Sequence, residues 1–130
     1  MRERLNSVTE QIIGAALAVH RELGPGMLES AYEACLAFEI ADRGLSVERQ
    51  KPLPLVYRGV RLDCGFRVDL LVEDLVVVEV KSIGRLEPVH GAQVLSYLRM
   101  LKRKVGLVIN FNVQWLVRDG IRRKVNDFPE

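Results

Sequence analysis

A chain of 130 residues, 48% of them hydrophobic, is long enough to bury one sizeable core and too short for two, so we expect a single domain over residues 1–130. The formal net charge of +2 is too small to indicate nucleic-acid binding by itself. No stretch approaches the roughly 20 apolar residues of a membrane span, and residues 1–6 lack the apolar region of a signal peptide. We therefore expect a cytoplasmic protein without membrane contact.

The first predicted element is a helix that begins at the capping-box pattern Ser7-Val-Thr-Glu10 and ends at Gly24-Pro25. We interpret it as a packing element. His20 lies on its flank with no second histidine or cysteine nearby, so a structural or surface role is favoured over a ligand role. The apolar residues that recur at helical spacing are Val8, Ile12, Ala16, Val19 and Leu23.

A second helix is predicted from about Met27 to Arg43, and one of its faces carries Glu29, Tyr32, Glu33 and Leu36. Glu29 has two interpretations. With Gly26 as the N-cap it occupies the third helical position, where a carboxylate accepts from the cap N–H and complements the helix dipole. Alternatively it reaches a functional site, where Tyr32 could hydrogen-bond a carboxylate or simply pack.

Short strands are predicted after this helix, at about Leu45 to Gln50, Leu53 to Tyr57 and Val60 to Leu62. The prolines at 52 and 54 mark this region as an edge of the sheet. The two cysteines, Cys35 in a predicted helix and Cys64 in a predicted turn, are too few for a disulfide framework or a zinc site, so we expect free thiols.

The most informative segment is the apolar hairpin that follows, because it contains charged residues. The run from Leu75 to Val80 is so continuously apolar that it predicts a strand covered on both sides. Glu79 and Lys81 are two residues apart and project to one face of that strand. Asp69 lies on the preceding strand, across a tight turn at Glu73-Asp74. Charges there are costly unless they pair with each other or with a metal.

This acid, acid, base cluster suits a hard divalent cation. Two carboxylates with water and a phosphate oxygen form a good magnesium shell. A neighbouring lysine can orient an attacking water or neutralise charge on a transferring phosphate. The alternative is an ion pair of Lys81 with Glu79 or Asp69 that has no chemical role.

The rest of the chain predicts a helix and further strands. Glu87-Pro88 opens a helix to about Arg103, on which Gln93 and Tyr97 line the site or form its rim. Val105 to Phe111 predicts a strand parallel to the Glu79 strand. Trp115 to Val117 and Ile121 to Val125 predict a closing hairpin at the far edge.

Two clusters of basic residues lie in the second half of the chain. Each could contact phosphates or could be an ordinary solvated surface. The clusters are Arg99, Lys102, Arg103 and Lys104, and Arg118, Arg122, Arg123 and Lys124.

The signature of Asp69 followed by Glu79-x-Lys81 resembles the PD-(D/E)xK nuclease superfamily, with Val68 at the position of the proline in that name. The chain is also similar to small bacterial proteins named for a GxxExxY motif, which here reads Gly26-Met-Leu-Glu29-Ser-Ala-Tyr32. The resemblance extends to Gln93-Val-Leu-Ser-Tyr97 and to Asn110-Phe111-Asn112.

This resemblance implies an α/β fold with a restriction-endonuclease-like αβββαβ core, a mixed central sheet flanked by helices. It makes Asp69 and Glu79 the core metal ligands, Lys81 the catalytic lysine, Glu29 the helix-borne acid that joins the metal site, and Gln93 a polar site residue. The implied function is a nuclease that uses Mg²⁺ or Mn²⁺ to hydrolyse DNA or RNA. The alternative is a catalytically silent nucleic-acid- or protein-binding module with the same fold, and homodimerisation is open in either case.

Overall fold

The computed structural model describes residues 1–127, so the last three residues of the expected 1–130 domain lie outside the described residues. Three α-helices and seven strands follow one another along this range. The helices are α1 (Arg2–Leu23), α2 (Glu29–Asp42) and α3 (Pro88–Leu101). The strands are β1 (Val47–Pro52), β2 (Leu55–Tyr57), β3 (Val60–Leu62), β4 (Arg67–Val72), β5 (Val76–Lys81), β6 (Val105–Asn110) and β7 (Ile121–Val125).

Five of the strands form one mixed sheet in the order β1-β4-β5-β6-β7. Strands β5 and β6 are parallel and joined through α3, whereas the other neighbours are antiparallel. One face of the sheet packs with α1 and α2 around a large apolar core, and the other packs with α3 around a smaller one. This arrangement confirms the expected mixed sheet flanked by helices, with β1 and β7 at its edges.

The central hairpin forms as predicted. Strands β4 and β5 are joined through Glu73 and Asp74, both with φ of 54°, as a type I′ turn requires. The carboxylate of Glu73 also fixes the turn to its surroundings, because it accepts from the Ser46 backbone N–H at 2.6 Å and from Arg4 at 2.7 Å. Strand β5 is buried from Val76 to Val80, as expected for a strand covered on both faces.

Two predicted helix starts are wrong. Helix α1 begins at Arg2 rather than Ser7, because Leu5 continues its apolar face and is buried in the core. Helix α2 begins at Glu29, after Leu28 in an extended conformation, so Gly26 is not its N-cap and Glu29 holds the first helical position. The interpretation of Glu29 as a third-position capping residue is therefore incorrect.

The predicted strand at Trp115 to Val117 is also wrong. The chain forms a single π-helical turn over Leu116–Gly120, and only β7 pairs with β6. This turn buries the Leu116 side chain, and it brings Gly120 so close to the Asn110 carbonyl that a Cβ at this position would clash. A tight coil with a glycine at its end satisfies both constraints, whereas an extended strand does not.

Strands β2 and β3 pair with each other and form a separate two-stranded sheet. The two cysteines are free thiols, as expected, with Cys35 half-buried and Cys64 exposed. None of the helices within residues 1–127 combines the length and apolar character that crossing a bilayer requires.

Close packing of α3 on β6 generates a stability prediction at Gly106. A Cβ there would lie 2.5 Å from a methyl of Val94 and 3.4 Å from both Leu98 and the Val77 carbonyl oxygen. We expect Gly106→Ala to lower the free energy of unfolding by about 1–3 kcal/mol, because the buried helix must shift. Gly84→Ala, which meets no atom within 4 Å, is the control and should stay within about 0.5 kcal/mol of wild type. Urea unfolding measures both, and equal stability of the two variants would contradict the packing argument.

Candidate active site

Asp69 and Glu79 lie opposite each other where the β4–β5 hairpin opens. The strands pair from Val72 and Val76 as far as Leu70 and Val78. At the next position, that of Asp69 and Glu79, side-chain hydrogen bonds take the place of the backbone ladder. Glu79 Oε1 accepts from the Asp69 backbone N–H at 3.2 Å, and Asp69 Oδ2 accepts from the Val80 N–H at 2.8 Å. Each carboxylate is thus fixed by the backbone of the facing strand.

The two carboxylates share an unfavourable electrostatic environment. Glu79 is only 5% exposed, and its burial together with the charge of Asp69 raises the pKa of Glu79 from 4.5 to about 9. The side-chain hydrogen bond with Asp69 favours the protonated form of Glu79, whereas the hydrogen bond from the Asp69 backbone N–H and the charge of Lys81 oppose it only in part. At neutral pH Glu79 is therefore protonated in the metal-free protein, and a bound cation would take the place of that proton.

Lys81 is the last residue of β5 and is half-buried. Across residues 1–127 its ammonium group has no carboxylate within the 4.0 Å of an ion pair. The alternative of a purely structural ion pair with Glu79 or Asp69 is therefore not what the structure contains. The lysine remains available for a ligand of the site.

Glu29, from the first turn of α2, lies beside the residue that follows Lys81. Its carboxylate is exposed and accepts from the Ser82 backbone N–H at 3.3 Å, while the Ser82 hydroxyl donates to the Met27 carbonyl at 2.6 Å. The segment before α2 is thereby docked on the end of β5. Within residues 1–127 no three acidic, histidine or cysteine side chains are grouped to hold a metal, so Glu29 does not complete a preformed set with Asp69 and Glu79.

A second helix-borne acid, Glu33, is connected to Asp69. Glu33 is buried and accepts from the Gln50 side chain at 2.7 Å and from Arg49 at 3.1 Å. The same Gln50 amide donates to Asp69 Oδ1 at 3.2 Å. Burial and the charge of Asp69 raise the pKa of Glu33, so the two acids interact electrostatically.

Sequence analysis did not assign Glu33 or Gln50 to the site. The available signal was that Glu33 shares a helix face with Tyr32 and Leu36, both fully buried, so its charge needs partners. Gln50 gave no such signal. It reaches the acids from β1 with a left-handed backbone (φ 53°), a conformation that the sequence around it does not indicate.

From the other face of the sheet, α3 contributes Tyr97 and Gln93. Tyr97 is 8% exposed, and burial together with the charge of Glu79 raises the pKa of its phenol. Gln93 is exposed and donates to the Tyr97 hydroxyl at 2.8 Å. Tyr97 is therefore linked to Glu79 electrostatically, and Gln93 contacts Tyr97 from the solvent side.

The loop after Lys81 is held by Asn110, the last residue of β6. Asn110 is fully buried, accepts from the Ile83 and Asn112 N–H groups, and donates to the Ile83 carbonyl. This network fixes the end of β5 against the end of β6. Sequence analysis noted Asn110 only as part of a motif.

Tyr32 and His20 have structural contacts. The ring of Tyr32 stacks on Phe111 with centroids 4.6 Å apart, and its hydroxyl joins the Gly24 carbonyl to the Met27 N–H across the loop before α2. Tyr32 thus packs and does not hydrogen-bond a site carboxylate. The His20 ring contacts the Val113 carbonyl at 2.7 Å, consistent with the favoured structural role.

The donor set at Asp69 and Glu79 fits a hard divalent cation. Both ligands are carboxylates, and the buried position of Glu79 makes a cation the natural replacement for the proton that the pair otherwise holds. Mg²⁺ and Mn²⁺ take such oxygen donors and complete their shell with water and substrate oxygens. The residues present therefore fit the group that the resemblance implies.

A comparison with family models matches residues 6–124 to the PD-(D/E)XK nuclease superfamily. The match covers most of the chain, including both hairpin carboxylates, Lys81, four strands of the main sheet in full and β7 up to Lys124. The chain belongs to the PD-(D/E)XK nuclease superfamily. Neither the curated proteins nor the solved structures that were compared contain a match.

The raised pKa of Glu79 predicts how stability changes with pH. Folding keeps a proton on Glu79 that the unfolded chain releases above about pH 4.5, so this group's contribution to stability is lost as pH rises from about 4.5 to about 9. We expect the melting temperature in EDTA to fall across this range, and Glu79→Gln, which has no proton to lose, to reduce that slope. Glu10→Gln, at an exposed helix position, is the control and should follow wild type. Parallel pH profiles for wild type and Glu79→Gln would refute the raised pKa.

Proposed function

We propose that this protein is a metal-dependent nuclease that hydrolyses phosphodiester bonds. The observation that carries the proposal is the pair of opposed carboxylates, one of them buried, beside a lysine that has no ion-pair partner within residues 1–127. A purely structural site gains little from keeping two acids in contact, because their repulsion costs stability unless a proton or a cation is held between them.

Each side chain has a distinct role in this proposal. Asp69 and Glu79 would hold Mg²⁺ or Mn²⁺, with Glu79 binding as the ionised carboxylate. A bound ion would supply Lewis-acid polarisation of a phosphate oxygen and would lower the pKa of water. Lys81 orients the attacking water or stabilises charge on the phosphate. Glu29 joins through water from the Ser82 side of the site.

The remaining polar residues act on these groups rather than on the substrate. Glu33 fixes Gln50, and Gln50 in turn fixes the orientation of Asp69 through its amide. Gln93 orients the hydroxyl of Tyr97. Such outer contacts tune how well the ligands bind a metal.

The finer assignment to the GxxExxY proteins is also part of the proposal. The motif has a coherent structural role, because Tyr32 closes the loop that contains Gly26 and Glu29 fixes this loop to Ser82. We further propose a single domain, a cytoplasmic location, which the two free thiols support, and nucleic acid as the partner. Homodimerisation would be an addition to this scheme rather than a requirement of the site.

A binding module without catalysis is the second candidate. The observation in its favour is that residues 1–127 contain no preformed group of three metal-ligating side chains. In that case the acid pair keeps its proton, and nucleic acid or protein binds the fold without being cleaved.

The first test is cleavage of labelled single- and double-stranded DNA and RNA with Mg²⁺ or Mn²⁺. We expect Glu79→Gln to lose at least about 100-fold in rate through weaker metal binding, and Lys81→Met about 100- to 1000-fold through lost charge stabilisation. Glu29→Gln should lose about tenfold, as a ligand that acts through water. Lys102→Met, near the turn end of the hairpin beside Asp74 and Leu75, is the matched lysine control and should cleave like wild type. Equal rates in all variants would identify a contaminant, and inactivity of all folded proteins would favour the binding module.

Metal binding has its own readout in thermal stability. A ligand that binds only the native state stabilises it, by about 2.7 kcal/mol at a concentration 100-fold above the dissociation constant. We therefore expect millimolar Mg²⁺ or Mn²⁺ to raise the melting temperature of wild type and to leave Asp69→Asn unchanged. Isothermal titration should also detect proton release at neutral pH, because Glu79 must ionise to bind the cation. No metal-induced rise in wild type would contradict the metal site.

A further inference from the structure

The β2–β3 hairpin, residues 55–62, extends from the rest of the fold and is here called the arm. It forms its own two-stranded sheet, and five of its six strand residues are exposed. Val56, Tyr57 and Val60 are 62%, 61% and 56% exposed. Exposed apolar and aromatic residues on a two-stranded hairpin do not stabilise it by burial, and such hairpins are marginal alone. Their exposure points to a binding role.

A cleft of about 520 Å³ lies between the arm and the chain segments on either side of it. This volume falls in the range of about 300–1,000 Å³ that is usual for ligand sites. Leu53, Pro54 and Leu62 provide apolar lining, while Phe66, which is 42% exposed, offers an aromatic ring. Arg61 and Arg67 provide the basic side chains of the cleft lining.

The cleft lining carries an excess of positive charge, with two arginines against one aspartate. Within residues 1–127, Arg58, Arg61 and Arg67 have no carboxylate partner within ion-pair distance. The carboxylate of Asp63, the acidic residue of the lining, is oriented by its own turn, where it accepts from the Gly65 N–H at 3.0 Å. Guanidinium groups without a carboxylate partner, beside an accessible ring, suit the alternating phosphates and bases of a nucleic-acid strand.

One end of the cleft lies close in sequence to the acid pair. Arg67, which lines the cleft, begins β4 two residues before Asp69. Arg67 donates to the Gln50 carbonyl at 3.4 Å, and the Gln50 amide donates to Asp69 at 3.2 Å. A chain of phosphates that contacts Arg67 is therefore directed toward Asp69 and Glu79.

We propose that this cleft binds single-stranded nucleic acid, with an unpaired base stacked on Phe66 and phosphates contacting Arg61 and Arg67. An unpaired strand is required because a base within a duplex does not expose its face to a side-chain ring. The inference deepens the proposed nuclease function, on which it rests for the path toward Asp69, by assigning single strands as the substrate class. Binding itself does not depend on catalysis.

Fluorescence anisotropy with a labelled single-stranded oligonucleotide in EDTA tests the stacking contact without hydrolysis. We expect Phe66→Ala to weaken binding about 5- to 100-fold, the range for a lost base stack. Phe66→Tyr keeps an aromatic face and should bind like wild type. Phe38→Ala removes a phenylalanine that is 69% exposed on α2 and is the matched control. It should leave the affinity unchanged.

The phosphate contact has a separate readout in the salt dependence. Arg61→Ala should reduce the slope of log affinity against log salt by about 0.7 for each lost phosphate contact on a single strand. Arg2→Ala removes the same charge from an exposed position on α1 and should leave the slope unchanged.

Several results would overturn the assignment. The first is that Phe66→Ala and Arg61→Ala bind the single-stranded oligonucleotide like wild type. The second is that they lose no more affinity than the controls Phe38→Ala and Arg2→Ala. The third is that a duplex binds as tightly as the single strand and depends equally on Phe66. Sedimentation in which Phe66→Ala disrupts a dimer without changing oligonucleotide affinity would instead make the cleft an interface between two copies of this chain, which also overturns it.

Hydrolysis of bis(p-nitrophenyl) phosphate with Mn²⁺ separates this proposal from the nuclease function, because that small diester does not need the cleft. If wild type binds the oligonucleotide through Phe66 and Arg61 but hydrolyses neither substrate, the cleft stands and the nuclease function fails. If Glu79-dependent hydrolysis of the small diester persists while the cleft variants bind like wild type, the nuclease function stands and the cleft fails.

Discussion

The contact between Asp69 and Glu79 is the constraint on which the other features of the site depend. Two carboxylates face each other across neighbouring strands, and burial of Glu79 keeps water from reducing their repulsion. The fold supplies one backbone N–H to each acid and a nearby lysine, which together do not neutralise the pair. The imbalance favours capture of a positive partner, either a proton or a metal ion.

The surrounding fold holds that pair from several sides, through contacts between elements distant in sequence. Asn110 joins the end of β6 to the loop after Lys81, and Glu33 holds Gln50 against Asp69 from α2. The loop before α2 is closed by Tyr32 and docked on Ser82. The carboxylates therefore lie in a framework in which Asn110, Glu33, Gln50 and Tyr32 each have a defined partner, which favours a site of fixed geometry.

Membership of the PD-(D/E)XK superfamily and the geometry of the site are separate arguments that agree. The family match fixes the fold class and a nuclease-like ancestry, but a fold can carry several activities. The chemical argument comes from the acid pair and from Lys81, which has no ion-pair partner in the part of the chain that the structure describes. Val68, at the position of the proline in the superfamily's name, is fully buried in β4.

The sequence by itself determined the elements whose signals are local. Continuous apolar runs predicted β5 and β6, the Glu73-Asp74 turn predicted the β4–β5 hairpin, and two-residue spacing predicted that Glu79 and Lys81 share a face. These features could be predicted because strand periodicity and turn chemistry depend on neighbouring residues.

Tertiary structure alone decided the rest. It extended α1 to Arg2, because burial of Leu5 outweighs the capping signal at Ser7, and it coiled the chain at Leu116–Gly120 against Asn110. It also joined Glu33 to Asp69 through Gln50, across three elements separated in sequence. Side-chain contacts of this kind depend on how helices pack on the sheet, so no local pattern encodes them.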